Sequence, residues 1–257
     1  MIDLKNISGL EIRMEESGHL VYDGKTFSAI PSIRMSSAGK SVYLKKNTEE
    51  QDLYYMYRYF EKVKDIQVFL ENKLEYDVTV IKNGVIGDEY IKTIGHYHGM
   101  VPDQAITYPE VYEVIQGNID YILQTQPINN NEVDVIIVRA ETGDKIVVPP
   151  NYGHVSVNTG KNIAVSSNVQ MRDLPASSDY DFYTRFEGAA IYEKVDEFCN
   201  NPHYIVRSMR MVKAKDCPEF GLFKNKSLYN SIIEDPKMFD FMVNPQNYDF
   251  SNVFEDI

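Results

Sequence analysis

Through the middle of the chain, short runs of Val, Ile and Tyr are separated at even intervals by Gly, Asn and Asp. Residues 76–81, 89–94, 110–115, 119–124, 133–139, 145–148, 155–158 and 163–168 each read as a strand. Asn83-Gly84 and Gln116-Gly117-Asn118 are among the turns between them. Many short strands at regular spacing predict an all-β sandwich or barrel. Toward the N-terminus the pieces are shorter. Asp23-Gly24, between 20–22 and 26–27, predicts a hairpin turn.

Some stretches are less regular. Residues 50–63 (EQDLYYMYRYFEKV) fit a strand or a short helix, and periodicity does not choose between them. Residues 182–191 read as an edge strand. Residues 227–241 carry helical spacing broken at Pro236, which predicts two short helices. The tail after Pro245 is acidic and aromatic. The expected organisation is a barrel with N-terminal strands over 1–190, and a partly helical extension packed on it over 191–257.

Composition narrows the picture. With 257 residues, one large β-rich domain or a domain with an appendage fits better than two full domains. The formal charge of −12 argues against nucleic-acid partners and against an anionic membrane surface. It leaves room for a small anionic substrate, because a bound cation can reverse the potential in one pocket. Two cysteines, Cys199 and Cys217, make no disulfide framework. No window approaches the roughly 18 apolar residues of a membrane span, and the first 20 residues lack a secretory pattern, so a cytoplasmic protein is expected.

The chemistry concentrates in three places. His96 and His98 are two apart, a spacing that puts both imidazoles on one face of a strand. Glu110 opens the strand-like Glu110-Val111-Tyr112-Glu113-Val114, and Glu113 falls on its opposite side. His154 follows Gly143 and Pro149 in a Gly-x5-Pro pattern, with Asn158 four residues beyond. A lone histidine is more often packed than ligating. Three imidazoles and one carboxylate in patterned places instead suit an open first-row metal site formed by His96, His98, Glu110 and His154. His19 and His203 have no such context.

These spacings resemble the two signature motifs of cupins, which implies a double-stranded β-helix, or jelly-roll barrel. Two departures stand out. Asn151 occupies a position where most cupins have Gly, and eleven residues separate His98 from Glu110 where most have three or four. Thr93-Ile94-Gly95-His96-Tyr97-His98, Pro109-Glu110-Val111-Tyr112 and Val148-Pro149-Pro150-Asn151-Tyr152-Gly153-His154 are similar to the cupin-type glucose-6-phosphate isomerases of archaea and some bacteria, over about residues 50–190.

That resemblance implies an aldose–ketose isomerase acting on glucose 6-phosphate and fructose 6-phosphate, with one divalent transition metal. Iron is the first expectation, and Mn, Ni or Zn are alternatives. It implies substrate contacts at Tyr54, Thr79, Thr93, Gly95 and Tyr180, and catalytic roles for Glu110 and Tyr112. Proton transfer and hydride shift both remain open as routes. Phosphate binding is expected to rest on neutral donors rather than on an arginine. Ser178 stands where the family often carries a histidine. A homodimer is expected by the same resemblance. The alternatives are another metal cupin, such as an Fe(II) dioxygenase, or a sugar-phosphate-binding protein without turnover.

Overall fold

The computed structural model describes residues 1–46, 48–127, 131–173 and 180–256. Its body consists of eleven strands: β1 (Phe27–Met35), β2 (Asp52–Lys62), β3 (Leu74–Ile81), β4 (Glu110–Gln116), β5 (Asn118–Thr125), β6 (Glu132–Glu141), β7 (Lys145–Val148), β8 (Tyr152–Asn158), β9 (Ala164–Met171), β10 (Ile205–Ala214) and β11 (Phe254–Asp256). One sheet has the order β7-β4-β9-β3-β2-β1 and the other β8-β5-β6-β10-β11. The pairings are antiparallel except that of β6 with β10, which is parallel. This is the cupin jelly-roll.

The six-stranded sheet is covered on both faces. On β4, Tyr112 and Val114 face inward and join Ile122, Leu123 and Val155 of the opposing sheet in one core. Val111 and Ile115 face outward with Tyr76 and Val78 of β3, and form a second core with Leu10, Ile12, Tyr229, Phe239 and Phe241. The N-terminal segment and the C-terminal helices therefore cap the sheet, and each fully buried side chain of this kind contributes about 2 kcal/mol. Burial on both faces explains why these strands read as nearly continuous apolar runs.

Several expectations need correction. Within 50–63, where strand and helix were both open, Asp52–Lys62 forms the strand β2. The Asp23-Gly24 turn exists, with the Thr26 and Phe27 amides donating to the Asp23 carbonyl, but the strands on either side do not pair. Leu20–Val21 pairs with Arg13–Met14, and β1 pairs with β2. Of residues 89–94, only Glu89–Tyr90 is a strand, paired with Val85–Ile86. Residues 182–191 are no edge strand. Helix α1 (Tyr180–Arg185) takes up the first four of them, with Tyr183 fully buried in the inner core while Asp181 and Arg185 point outward, and only Ile191 at their end is in a strand.

The segment 191–257 contributes more than a covering layer. Its β10 extends the five-stranded sheet, and β11 closes that edge. The predicted break at Pro236 separates helix α2 (Leu228–Glu234) from a 3₁₀ helix, Pro236–Met242. Ser227 caps α2 by accepting from the Asn230 amide at 3.1 Å. Among the described residues, no helix is long and apolar enough to cross a membrane.

Candidate metal centre

The site forms where two distant segments meet. The His96 amide donates to the His154 carbonyl at 3.3 Å, and the His154 amide donates to the His96 carbonyl at 3.1 Å. His154 belongs to β8 and lies opposite Leu123 of β5. His96 lies in an irregular segment and makes only this isolated bridge. The expectation that His96 and His98 share a regular strand therefore fails, yet both imidazoles reach one point. Glu110, the first residue of β4, brings its carboxylate to the same place from the facing sheet.

The donor atoms crowd one another. Glu110 Oε2 is 3.0 Å from His154 Nε2 and 3.3 Å from His98 Nε2, and His98 Nε2 is 3.2 Å from His96 Nε2. Donors about 2.1 Å from one ion and at right angles would stand about 3.0 Å apart. The His98 Nδ1–H donates to the Tyr108 carbonyl at 3.1 Å, which leaves its Nε2 lone pair facing the cluster. Burial, reinforced by His154 and His98, holds His96 well below the ordinary imidazole range, and burial lowers His154 too. Burial opposes ionisation of Glu110, but the adjacent imidazoles of His154 and His98 hold it well below the usual carboxylate range. Among the described residues, buried Glu110 Oε2 has no hydrogen-bond partner. Three imidazoles and a carboxylate oxygen converging within this space are a donor set that fits a divalent metal.

The cavity beside these donors is lined by every other expected site residue. Tyr54, Thr79, Thr93, Gly95, Tyr112 and Tyr180 share it with His96, Glu110 and His154. The Tyr112 hydroxyl is 2.9 Å from His154 Nε2, and burial together with Glu110 raises its pKa well above normal, so it stays protonated. The Thr93 hydroxyl oxygen accepts from the Ser156 amide at 3.0 Å, leaving its proton free to donate elsewhere. Burial pushes Tyr54 up to about 12, against the pull of the Ile94 backbone.

Two glycines make room for an aromatic ring beside the histidines. Gly95 has φ +86°, and a Cβ there would sit 2.6 Å from Val155 Cγ2 and 2.8 Å from the Tyr183 ring. A Cβ on Gly153 would sit 2.7 Å from the Tyr183 hydroxyl. The glycines that precede two of the histidines thus admit Tyr183, and its helix places the Tyr180 ring 4.8 Å from that of His96. Ser178 lies outside the described residues.

Comparison with known proteins identifies the lineage. The family model described as "Glucose-6-phosphate isomerase (GPI)" matches residues 25–207. The chain belongs to this family. Similar relatives are the glucose-6-phosphate isomerases of Thermococcus litoralis (31% identical, covering 61% of this chain and 76% of that one) and Thermococcus onnurineus (33%, covering 52% and 60%). That of Pyrococcus abyssi is 31% identical, over 44% of this chain and 53% of its own. Beyond the first, the match therefore spans little more than half of these relatives. Among solved structures, a deletion mutant of Bacillus subtilis oxalate decarboxylase is similar (16% identity, TM-score 0.33, covering 49% of this chain and 27% of that chain). So is the coconut allergen cocosin (14%, 0.33, covering 60% and 36%).

In this glucose-6-phosphate isomerase family member, the cavity wall also carries residues that the sequence reading left out: Arg58, Asn168 and Gln170. An arginine thus stands beside the neutral donors expected for the phosphate. Arg58 Nη1 donates to Asp77 at 2.5 Å, and Nη2 lies 3.5 Å from the Tyr180 hydroxyl. Asp77 also accepts from the Tyr59 amide at 2.8 Å. Tyr59 has φ +53° and lies in a bulge, where the register of β1 against β2 shifts. Tyr54, Met56 and Arg58 alternate toward the cavity, so treating 50–63 as a strand would have revealed Arg58.

Proposed function

We propose that the protein interconverts glucose 6-phosphate and fructose 6-phosphate with one divalent transition metal held by His96, His98, Glu110 and His154. The observation that carries this reading is the convergence of those four side chains, within 4.8 Å of one another, on a cavity lined by hydroxyl donors. When bound, the ion supplies Lewis-acid polarisation of substrate oxygens. Iron comes first, ahead of Mn, Ni and Zn, because imidazoles with a single carboxylate and open positions suit Fe(II).

The chain's own groups divide the remaining work. Thr79, Thr93, Tyr54 and the Gly95 amide bind the phosphate, and Arg58 adds a cation to the same wall. Tyr112, held protonated, donates to a sugar hydroxyl. Glu110, held ionised, is the carboxylate placed to take up and return a proton at its oxygen. Tyr180 closes over the sugar from α1. All of these residues lie within 1–190, while 191–257 completes the five-stranded sheet and caps the other.

We read the molecule as a cytoplasmic homodimer. The free thiols of Cys199 and Cys217 are consistent with a reducing compartment. Strand β1 lies at a sheet edge, with Ile30 and Ile33 61% and 49% exposed, and such an edge calls for a partner. A coupled assay on metal-loaded protein tests the activity. Turnover of neither hexose phosphate would overturn it.

A further inference from the structure

The insertion between His98 and Glu110 is an ordered hairpin. The Tyr108 amide donates to the Gly99 carbonyl at 3.2 Å, and the Val101 amide to the Ile106 carbonyl at 2.8 Å. Asp103, at φ +60°, turns the chain between the arms. One arm thus begins directly after ligand His98, and the other ends directly before Pro109 and ligand Glu110. The closing bond fixes the separation of two ligands at their backbone.

The hairpin also reaches the third ligand segment. The Thr107 amide donates to Asn151 Oδ1 at 3.0 Å, and the Asn151 amide donates back to Thr107 Oγ1 at 2.7 Å. Thr107 is buried and Asn151 half-buried, so these bonds are partly shielded from water. Asn151 lies three residues before His154 and has φ +68°, a conformation glycine would also accept. Glycine there would keep the turn and lose the side-chain half of the clasp. The neighbouring Tyr108 supplies the carbonyl that accepts from His98 Nδ1.

We propose that this hairpin, clasped by Thr107 and Asn151, is a brace that positions His98 and holds the three ligand segments in register. Thr107 and Asn151 touch neither substrate nor metal. They act through the Tyr108 carbonyl, which fixes the tautomer and ring angle of His98. Loss of such outer support typically weakens metal binding by about 10- to 100-fold. The inference rests on the metal reading above, and a metal-free readout separates the two.

The test uses the full chain with N151G, T107V and the conservative T107S. Cobalt(II) affinity and visible absorption are measured by titration, and solvent exchange of the His98 ring N–H proton is followed by NMR in metal-free protein. N151G keeps the backbone conformation and T107V the side-chain volume, and thermal melts check that each is folded. The brace predicts about tenfold weaker cobalt binding, an altered spectrum and faster ring-proton exchange in N151G and T107V, with T107S close to the parent. Unchanged affinity and spectrum in both folded variants overturn it. So does weaker binding with the ring proton still protected. A parent that binds no cobalt sinks the metal reading alone, and the ring-proton comparison still decides the brace.

Discussion

Glu110 and Glu113 stand three residues apart on β4 and point to opposite sides of one sheet. Glu110 Oε2 lies 3.0 Å from His154 Nε2 inside the barrel. Glu113 Oε1 lies 2.9 Å from Lys145 Nζ beneath the C-terminal cap and accepts from the Leu228 amide at 3.2 Å. The two-residue period of a strand turns one toward the histidine cluster and the other toward the cap.

Neutralising each separates those roles. E110Q is expected to lose metal binding while keeping its fold. E113Q leaves the Lys145 ammonium buried without its partner, and removing one member of a buried pair costs about 3 kcal/mol. Urea unfolding alongside metal titration checks both. E113Q losing metal at unchanged stability would contradict the assignment.

Arg58 is expected to act on substrate binding more than on turnover. R58K keeps a charge beside Asp77 but loses the fork that also reaches Tyr180. Loss of one charge-assisted hydrogen bond, about 1.4 kcal/mol, raises KM about tenfold with kcat within a few-fold. Steady-state kinetics in both directions measure this, and an unchanged KM would remove Arg58 from the phosphate site.

Stability should decline from pH 7 to 9. Glu193 is pushed up to about 9, first by burial and then by Asp120 beside it. The folded chain therefore keeps a proton that the unfolded chain releases above about 4.3. Stability from this group is present at low pH and is lost as pH rises toward 9, at up to about 1.4 kcal/mol per pH unit. Glu61, pushed up to about 7 by burial, adds a smaller loss of the same sign at the lower end. The depressed His96 and His154 act in the opposite sense, but their contribution is complete above about pH 6.5. Denaturant melts at several pH values should show E193Q with a flatter profile. A parent profile already flat from 7 to 9 would contradict the assignment of Glu193.

The cluster of His96, His98, Glu110 and His154 was legible because its spacing is local and chemical. His-x-His, the Glu at a strand start and Gly-x5-Pro before His154 each depend on a few neighbouring residues. Glu110 was separable from Glu113 by strand parity alone. Arg58 was hidden because 50–63 alternates poorly: with Tyr55 and Tyr57 on one face and Tyr54 and Met56 on the other, both faces are apolar. Helix α1 was misread because its place depends on Tyr183 entering the gap at Gly95 and Gly153, a contact between distant segments. The parallel pairing of β10 with β6 depends on the whole barrel, and no local pattern announces it.

Metal stoichiometry tests the account most directly. Purified protein, stripped with chelator and dialysed against Fe(II) or Mn(II) without oxygen, is expected to take up one ion per chain. H96A and E110Q should take up none at the same concentration. Uptake that is absent in the parent, or equal in the parent and both variants, would contradict the claim that these four side chains hold a metal.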